Sequence, residues 1–166
     1  MKPGKVSESI LKRSVIKQLS TKNKKVINSA AVGNDAALFV MSENTGIVMS
    51  TETIIDSYEH QKARALYRAA NNVVAAGGKP EVCQLSITLP TSAVEADLRN
   101  LFKEYVDVAK TLNISITGGH TEVSEAVSIP IVTATVSGSE IKNCSLKNIK
   151  AGEDIVMSKA IGLEGS

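Results

Sequence analysis

Apolar residues recur along this chain at two periods, and the switch between them outlines the elements. Ile10, Leu11, Val15, Ile16 and Leu19 fall at helical spacing, so Val6 to Leu19 is expected to be a helix with Ser7 or Ser9 as its N-cap. Two short β-branched runs follow, Ala36 to Met41 and Ile47 to Thr53, with Asn44-Thr45-Gly46 as the hairpin turn between them. His60 to Ala76 is rich in Ala and free of breakers, and Gly77-Gly78 with Pro80 ends it as a second helix. Val82 to Leu89 alternates, with Cys83, Leu85, Ile87 and Leu89 on one face and Gln84, Ser86 and Thr88 on the other. That is the pattern of a half-buried strand. Ser92 and Glu95 have capping-box spacing. They precede a helix whose stripe is Leu98, Leu101, Phe102, Tyr105, Ala109 and Leu112. A strand from Ile114 runs into Gly118-Gly119, where paired glycines are expected to turn the chain sharply. Ile129 to Val136 is the next strand, and Pro130 suits a strand start or a sheet edge. Lys150 to Asp154 reads as a turn, Ile155 to Ser158 as a last short strand, and Gly162 to Ser166 as a glycine-rich loop.

This order of elements (helix, two strands, helix, strand, helix, two strands) predicts an α+β domain: a mixed sheet with helices packed on one face. It is not the alternation of a doubly wound fold, and there is no GxxxxGK[ST] loop. Residues 1–150 are expected to form this domain. Residues 151–166 read as the start of a linker into a further C-terminal domain.

The chain has 166 residues, 43% hydrophobic but only 3% aromatic, so its core must be aliphatic. That length suffices to bury one. Nineteen basic residues nearly balance 17 acidic ones, for a net charge of +2. The basic stretch from Lys12 to Lys25 holds no aromatic residue for base stacking and reads as a solvated surface, not a nucleic-acid interface. Two cysteines, Cys83 and Cys144, have neither metal-ligand nor disulfide-framework spacing. No secretory h-region or membrane-length apolar run occurs. These features lead to the expectation of a soluble cytoplasmic protein.

Polar residues gather at four places. Gly33-Asn34-Asp35-Ala36-Ala37 precedes a strand, and Ser50-Thr51-Glu52-Thr53 ends one. Asn71-Asn72 interrupts Ala69-Ala70 and Val73-Val74 in the second helix, where adjacent Asn residues lower helix propensity. Gly118-Gly119-His120-Thr121-Glu122-Val123 follows an apolar run. Each place has a plain structural explanation as a turn, an edge pair or a solvated helix face. A locally unfavourable choice such as the Asn pair is also where function is often found.

In this order and at these intervals, with Gly4-Lys5 ahead of the first helix and Ala75-Ala76-Gly77-Gly78-Lys79-Pro80 after the Asn pair, the motifs resemble the N-terminal domain of the AIR synthase-related superfamily. That superfamily includes aminoimidazole ribonucleotide synthetase, selenophosphate synthetase, thiamine-monophosphate kinase and the hydrogenase maturation dehydratase, and the hydrogenase-maturation-like branch is the most similar. The resemblance implies an ATP-dependent enzyme that phosphorylates an amide, carboxyl or phosphate oxygen of a small-molecule acceptor, with Mg2+ against the triphosphate. It also implies a homodimer joined through strands. It places metal binding at Asp35, Glu52 and Asn72, and catalysis at His120. Nucleotide contacts fall to Lys5, Asn34, Thr51, Asn71, Gly118, Gly119 and Thr121. Two positions depart from the family pattern. Glu52 stands where the family has Asp, one methylene shorter, and neutral Asn72 stands where it has Asp. A catalytically degenerate dimerisation scaffold that kept the fold is the alternative these departures raise.

Overall fold

The computed structural model describes residues 6–19, 23–42, 45–144, 148–154 and 156. Six strands form one sheet: β1 (Val26–Asn28), β2 (Ala37–Ser42), β3 (Thr45–Ile55), β4 (Gly78–Pro90), β5 (Ser115–Ser124) and β6 (Ile131–Glu140), in the order β1-β2-β3-β6-β4-β5. Every pairing is antiparallel except β4 with β5. That parallel pair needs a crossover, and α4 (Glu95–Thr111) provides it. α3 (Arg64–Ala75) packs against β3, β6 and β4. The expected mixed α+β architecture is what the chain adopts, and β1, three residues long, is an addition too short to leave a periodic signal.

The core lies between the sheet and these two helices. Leu66, Ala69 and Val73 of α3 and Leu101, Tyr105 and Ala109 of α4 close over Val48, Leu85, Ile87, Val132, Ala134 and Val136. Alternation along β6 places even-numbered residues in this core and Thr133, Thr135 and Ser137 on the opposite, open face.

Local physics moves several expected boundaries. The N-terminal helix stops early: α1 covers Glu8–Ser14, and a 3-10 turn follows at Ile16–Gln18. None of its residues is buried, and a short helix with no packing partner is marginal. The helix expected over His60 to Ala76 is broken. α2 (Tyr58–Gln61) is separated from α3 by Lys62 and Ala63, both left-handed. At the break Gln61 turns fully inward, and its Nε2 donates to the carbonyls of Asp56 and Pro130, each at 3.1 Å. The cap of α4 is not Ser92. The Asp97 carboxylate accepts the Val94 N–H at 2.9 Å, so the helix starts two residues later.

Thr45 and Gly46 lie inside β3 instead of in the turn, and Asn44 is outside the described residues. Pro130 directly precedes β6, which is a central strand. Gly118-Gly119 does not turn the chain. Both glycines sit within β5 at φ near +150°, opposite Gln84 and Leu85. A Cβ on Gly119 would stand 1.7 Å from the Leu85 carbonyl oxygen, so the parallel pairing requires glycine there. The turn after Lys150 forms, with the Lys150 N–H donating to the Glu153 carboxylate. Ile155, Met157 and Ser158 of the expected last strand, and the glycine-rich end, lie outside the described residues, as does Lys5.

Candidate functional site

β3 should present only apolar side chains to the helices at positions 48, 50, 52 and 54, yet two of these are Ser50 and Glu52. Ser50 is the hub of the arrangement they create, and it is almost wholly buried. Its Oγ donates to the Asp35 carbonyl at 2.7 Å and accepts from Asn72 Nδ2 at 3.2 Å. The same Asn72 amide donates to Glu52 Oε1 at 2.8 Å. Three segments are thereby tied together: the loop before β2, the middle of β3 and the last turns of α3. Asn34 extends the network, accepting from Asn28 Nδ2 at 2.8 Å and donating to the Ser29 carbonyl. A cavity of about 110 Å3 opens between Asn28, Asn34, Asp35, Asn72 and Cys144, and a second of about 240 Å3 between Asp35, Met49, Ser50 and Thr51.

Of the residues expected in the site, Asn34, Asp35, Glu52 and Asn72 converge here. Asn71 sits exposed on α3 beside Asn72. Sequence reasoning placed Ser50 in a polar cluster without giving it a role, and it missed Asn28. For Ser50 the available signal was the polar pair on the covered stripe of β3.

Thr51 lines the second cavity beside Asp35 from the open face, while Gly118, Gly119, His120 and Thr121 lie farther along the sheet, where the strand register places them. Glu52, Ala134, Leu85 and Gly119 form one row across the sheet, and Thr53, Thr133, Ser86 and His120 form the next. Adjacent rows point to opposite faces. Glu52 thus faces the helices while His120 faces the open side, with β6 and β4 between their strands, a separation of about 14 Å at ordinary strand spacing. Thr51 belongs to the open face with Thr135, their hydroxyls 3.0 Å apart, in the row that ends at Gly118. His120 Nε2 lies 3.3 Å from Glu122 Oε2, whose other oxygen accepts from Thr88. A cavity of about 340 Å3 is lined by Gln84, Ser86, His120, Thr133 and Thr135. Another of about 350 Å3 opens at the sheet edge between Phe102, Ile116, Gly118, His120 and Thr121. Within one chain the four polar places therefore form two groups, not one pocket.

Cys83 is not an activated nucleophile, since burial pushes its thiol up to about 11. Cys144 is exposed and lines the first cavity. Asp35 and Glu52 are hard oxygen donors of the kind Mg2+ prefers, and one or two carboxylates completed by phosphate and water is its usual protein environment. Among the described residues no three His, Cys, Asp or Glu side chains meet in a self-sufficient metal cluster. Asp35 enters the network through its backbone carbonyl, with its side chain exposed, and Glu52 is the one carboxylate the network holds, so a cation here would draw most of its ligands from phosphate and water.

Residues 33–139, from the Asp35 loop to the end of β6, match the family described as AIR synthase related protein, N-terminal domain. The chain belongs to this family. Among curated proteins the AIR synthase related domain is 26% identical to thiamine-monophosphate kinase of Bacillus subtilis, over 75% of this chain and 41% of that protein. It is 23% identical to a putative hydrogenase expression/formation protein of Methanocaldococcus jannaschii, over 98% of this chain and 50% of the relative. The chain thus spans half or less of the length of the curated relatives it matches. The solved structure of AaThiL complexed with AMPPCP and TMP shares the fold, with a TM-score of 0.62 at 15% identity over 83% of this chain and 45% of that one. No helix among the described residues is long and apolar enough to cross a membrane.

Proposed function

We propose that this domain is the nucleotide-holding part of an ATP-dependent enzyme that transfers a phosphoryl group to an amide, carboxyl or phosphate oxygen of a small-molecule acceptor. The observation that carries this reading is the Ser50-centred network, which ties the Asp35 backbone carbonyl, the Glu52 carboxylate and the Asn72 amide together from three separate segments. A kinase among the relatives and a triphosphate analogue in the AaThiL complex support it. Phosphoryl transfer asks the protein mainly to position reactants and to neutralise charge, so it requires no activated nucleophile from the protein. Asp35 and Glu52 would hold Mg2+, which when bound offsets the charge of the phosphate oxygens. Asn34 and Asn71 line the approach. Thr51 and the Gly118-Gly119 backbone, with Thr121, offer hydrogen bonds to phosphate. His120, braced by Glu122, moves a proton or contacts phosphate.

Glu52 and His120 face opposite sides of the sheet, and a second copy laid on the open face would bring its own groups up to the cavity that Asp35 shares with Thr51. We therefore read the protein as a homodimer, joined through the open, hydroxyl-rich face and the β5 edge, with each site shared. Residues 1–150 would be the complete domain and 151–166 the path to a second one that selects the acceptor. Two free cysteines suit the reducing cytoplasm.

Calorimetry with AMPPCP and Mg2+ tests the reading. Binding is expected for the wild type, and Asp35→Ala should weaken it at least tenfold, the loss of one charge-assisted contact. Heat that is absent with the wild type, or unchanged in the variant, refutes it. One observation favours the scaffold alternative: the Asn72 amide already satisfies Glu52, as a cation otherwise would.

A further inference from the structure

The chain leaving β6 does not run into solvent. It folds back over the end of α3. Ile141 and Lys142 both donate their N–H groups to one carbonyl, that of Gly77, at 2.8 and 3.0 Å. Gly77 is left-handed at φ +86°, and a Cβ on it would stand 1.7 Å from the Lys142 carbonyl oxygen and 3.0 Å from Cys144 Sγ. This close approach brings Cys144 to the cavity it shares with Asp35, Asn72, Ala75 and Ala76. The crossing segment has little apolar anchorage, since Ile141 is 73% exposed. Residues 141–144 are all exposed, and beyond the Gly77 pair the Asn143 carbonyl accepts from Asn148 Nδ2 at a long 3.4 Å; a segment without a buried side chain belongs to the low-stability end of a protein's opening scale.

We propose that residues 141–144 are a movable strap, latched on the Gly77 carbonyl, that carries Cys144 to the Asp35–Asn72 cavity, and that a ligand in the cavity holds the latch shut. When the latch is closed, Cys144 narrows the cavity beside Asn72. When it opens, the cavity is left bounded by the Asp35 loop and α3. Gly77 is then a positioning residue: its missing side chain lets the strap approach, and its carbonyl holds it. The latch stands on geometry alone, and only the ligand half rests on the nucleotide reading.

Amide exchange at Ile141 and Lys142, together with a nitroxide on Cys144, reads the latch in the intact protein. Cys83 is fully buried and stays unlabelled. Gly77→Ala should speed exchange at these two amides about tenfold or more, as expected for losing both bonds to one acceptor, and should raise nitroxide mobility. Exchange at Val73 and Val136 should not change. Lys142→Pro removes one of the two donors without touching α3, and it should speed exchange at Ile141 about fivefold and raise nitroxide mobility. It decides the matter if the glycine variant proves globally destabilised. Unchanged exchange at Ile141 in Lys142→Pro overturns the latch. In the wild type, AMPPCP with Mg2+ should slow exchange at both amides. Calorimetric binding without that slowing overturns the ligand coupling. Absence of binding counts against the nucleotide reading instead, and the two variants still decide the latch.

Discussion

At the scale of single residues, Asn72 is the side chain on which the two functional readings divide. Its Nδ2 donates to Ser50 and to Glu52 at once, so the cluster is satisfied without any cation. Asn72→Asp removes that donor and sets a second carboxylate against Glu52. Two adjacent carboxylates repel, and Ser50 loses a partner, so the variant should be less stable than the wild type by about 1–3 kcal/mol in metal-free buffer. Mg2+ should return most of that stability and tighten AMPPCP binding by roughly tenfold, the worth of one added charge near a half-exposed site. Urea denaturation with and without Mg2+ checks the first part and calorimetry the second. If Mg2+ restores nothing, position 72 does not face a cation and the scaffold reading gains. Asp35 and the Asn pair were legible as chemistry because they break local preferences: a polar residue before an apolar strand, and poor helix formers among Ala and Val. Ser50 was legible only as half of a polar pair on a strand, since its meaning depends on which face α3 covers. No pattern within β3 alone carries that information.

Whole elements were legible where a period runs long and pairs with a buried face. β4, β6 and α4 were read to within a few residues because their alternation or stripe matches the core they enter. The errors came where a tertiary contact overrides local preference. Gln61 turning inward breaks an otherwise continuous helix, and the backbone of Leu85 recruits Gly119 into a strand instead of a turn. The glycine pair makes this second case testable. Gly119→Ala places a methyl 1.7 Å from the Leu85 oxygen, so β5 has to separate locally from β4. Its cost should exceed about 3 kcal/mol, strain and lost pairing together. Gly118→Ala meets nothing within 4 Å and pays only for its backbone angle, about 1–3 kcal/mol. Equal costs in chemical denaturation would mean that the close approach of Leu85 does not govern this pairing.

At the scale of the molecule, two buried titratable groups in the shared core set an alkaline limit on stability. Burial pushes the Cys83 thiol up to about 11 from 9.0 and pushes the Tyr105 hydroxyl up as well. Both hold their protons more tightly folded than unfolded, so stability should be constant below about pH 8.5 and decline as pH rises toward 11, by about 2 kcal/mol for the thiol alone. A urea midpoint series should show that decline, and Cys83→Ala should remove the thiol's share of it while leaving that of Tyr105. The last prediction tests the proposed shared site. Glu52 and His120 occupy adjacent rows that face opposite sides of the sheet, and on the shared-site reading the Asp35 group of one copy works with the His120 group of another. Take Asp35→Ala and His120→Ala, each deficient alone in binding AMPPCP with Mg2+. Unfolding and refolding the two together should produce mixed dimers in which one of the two sites inherits both intact halves. With random pairing, about a quarter of all sites recover. If each chain carried its own complete site, every site would keep one lesion and mixing would restore nothing. Recovery of binding on mixing therefore measures the shared architecture directly, and its absence would leave the two polar groups of the sheet as separate surfaces.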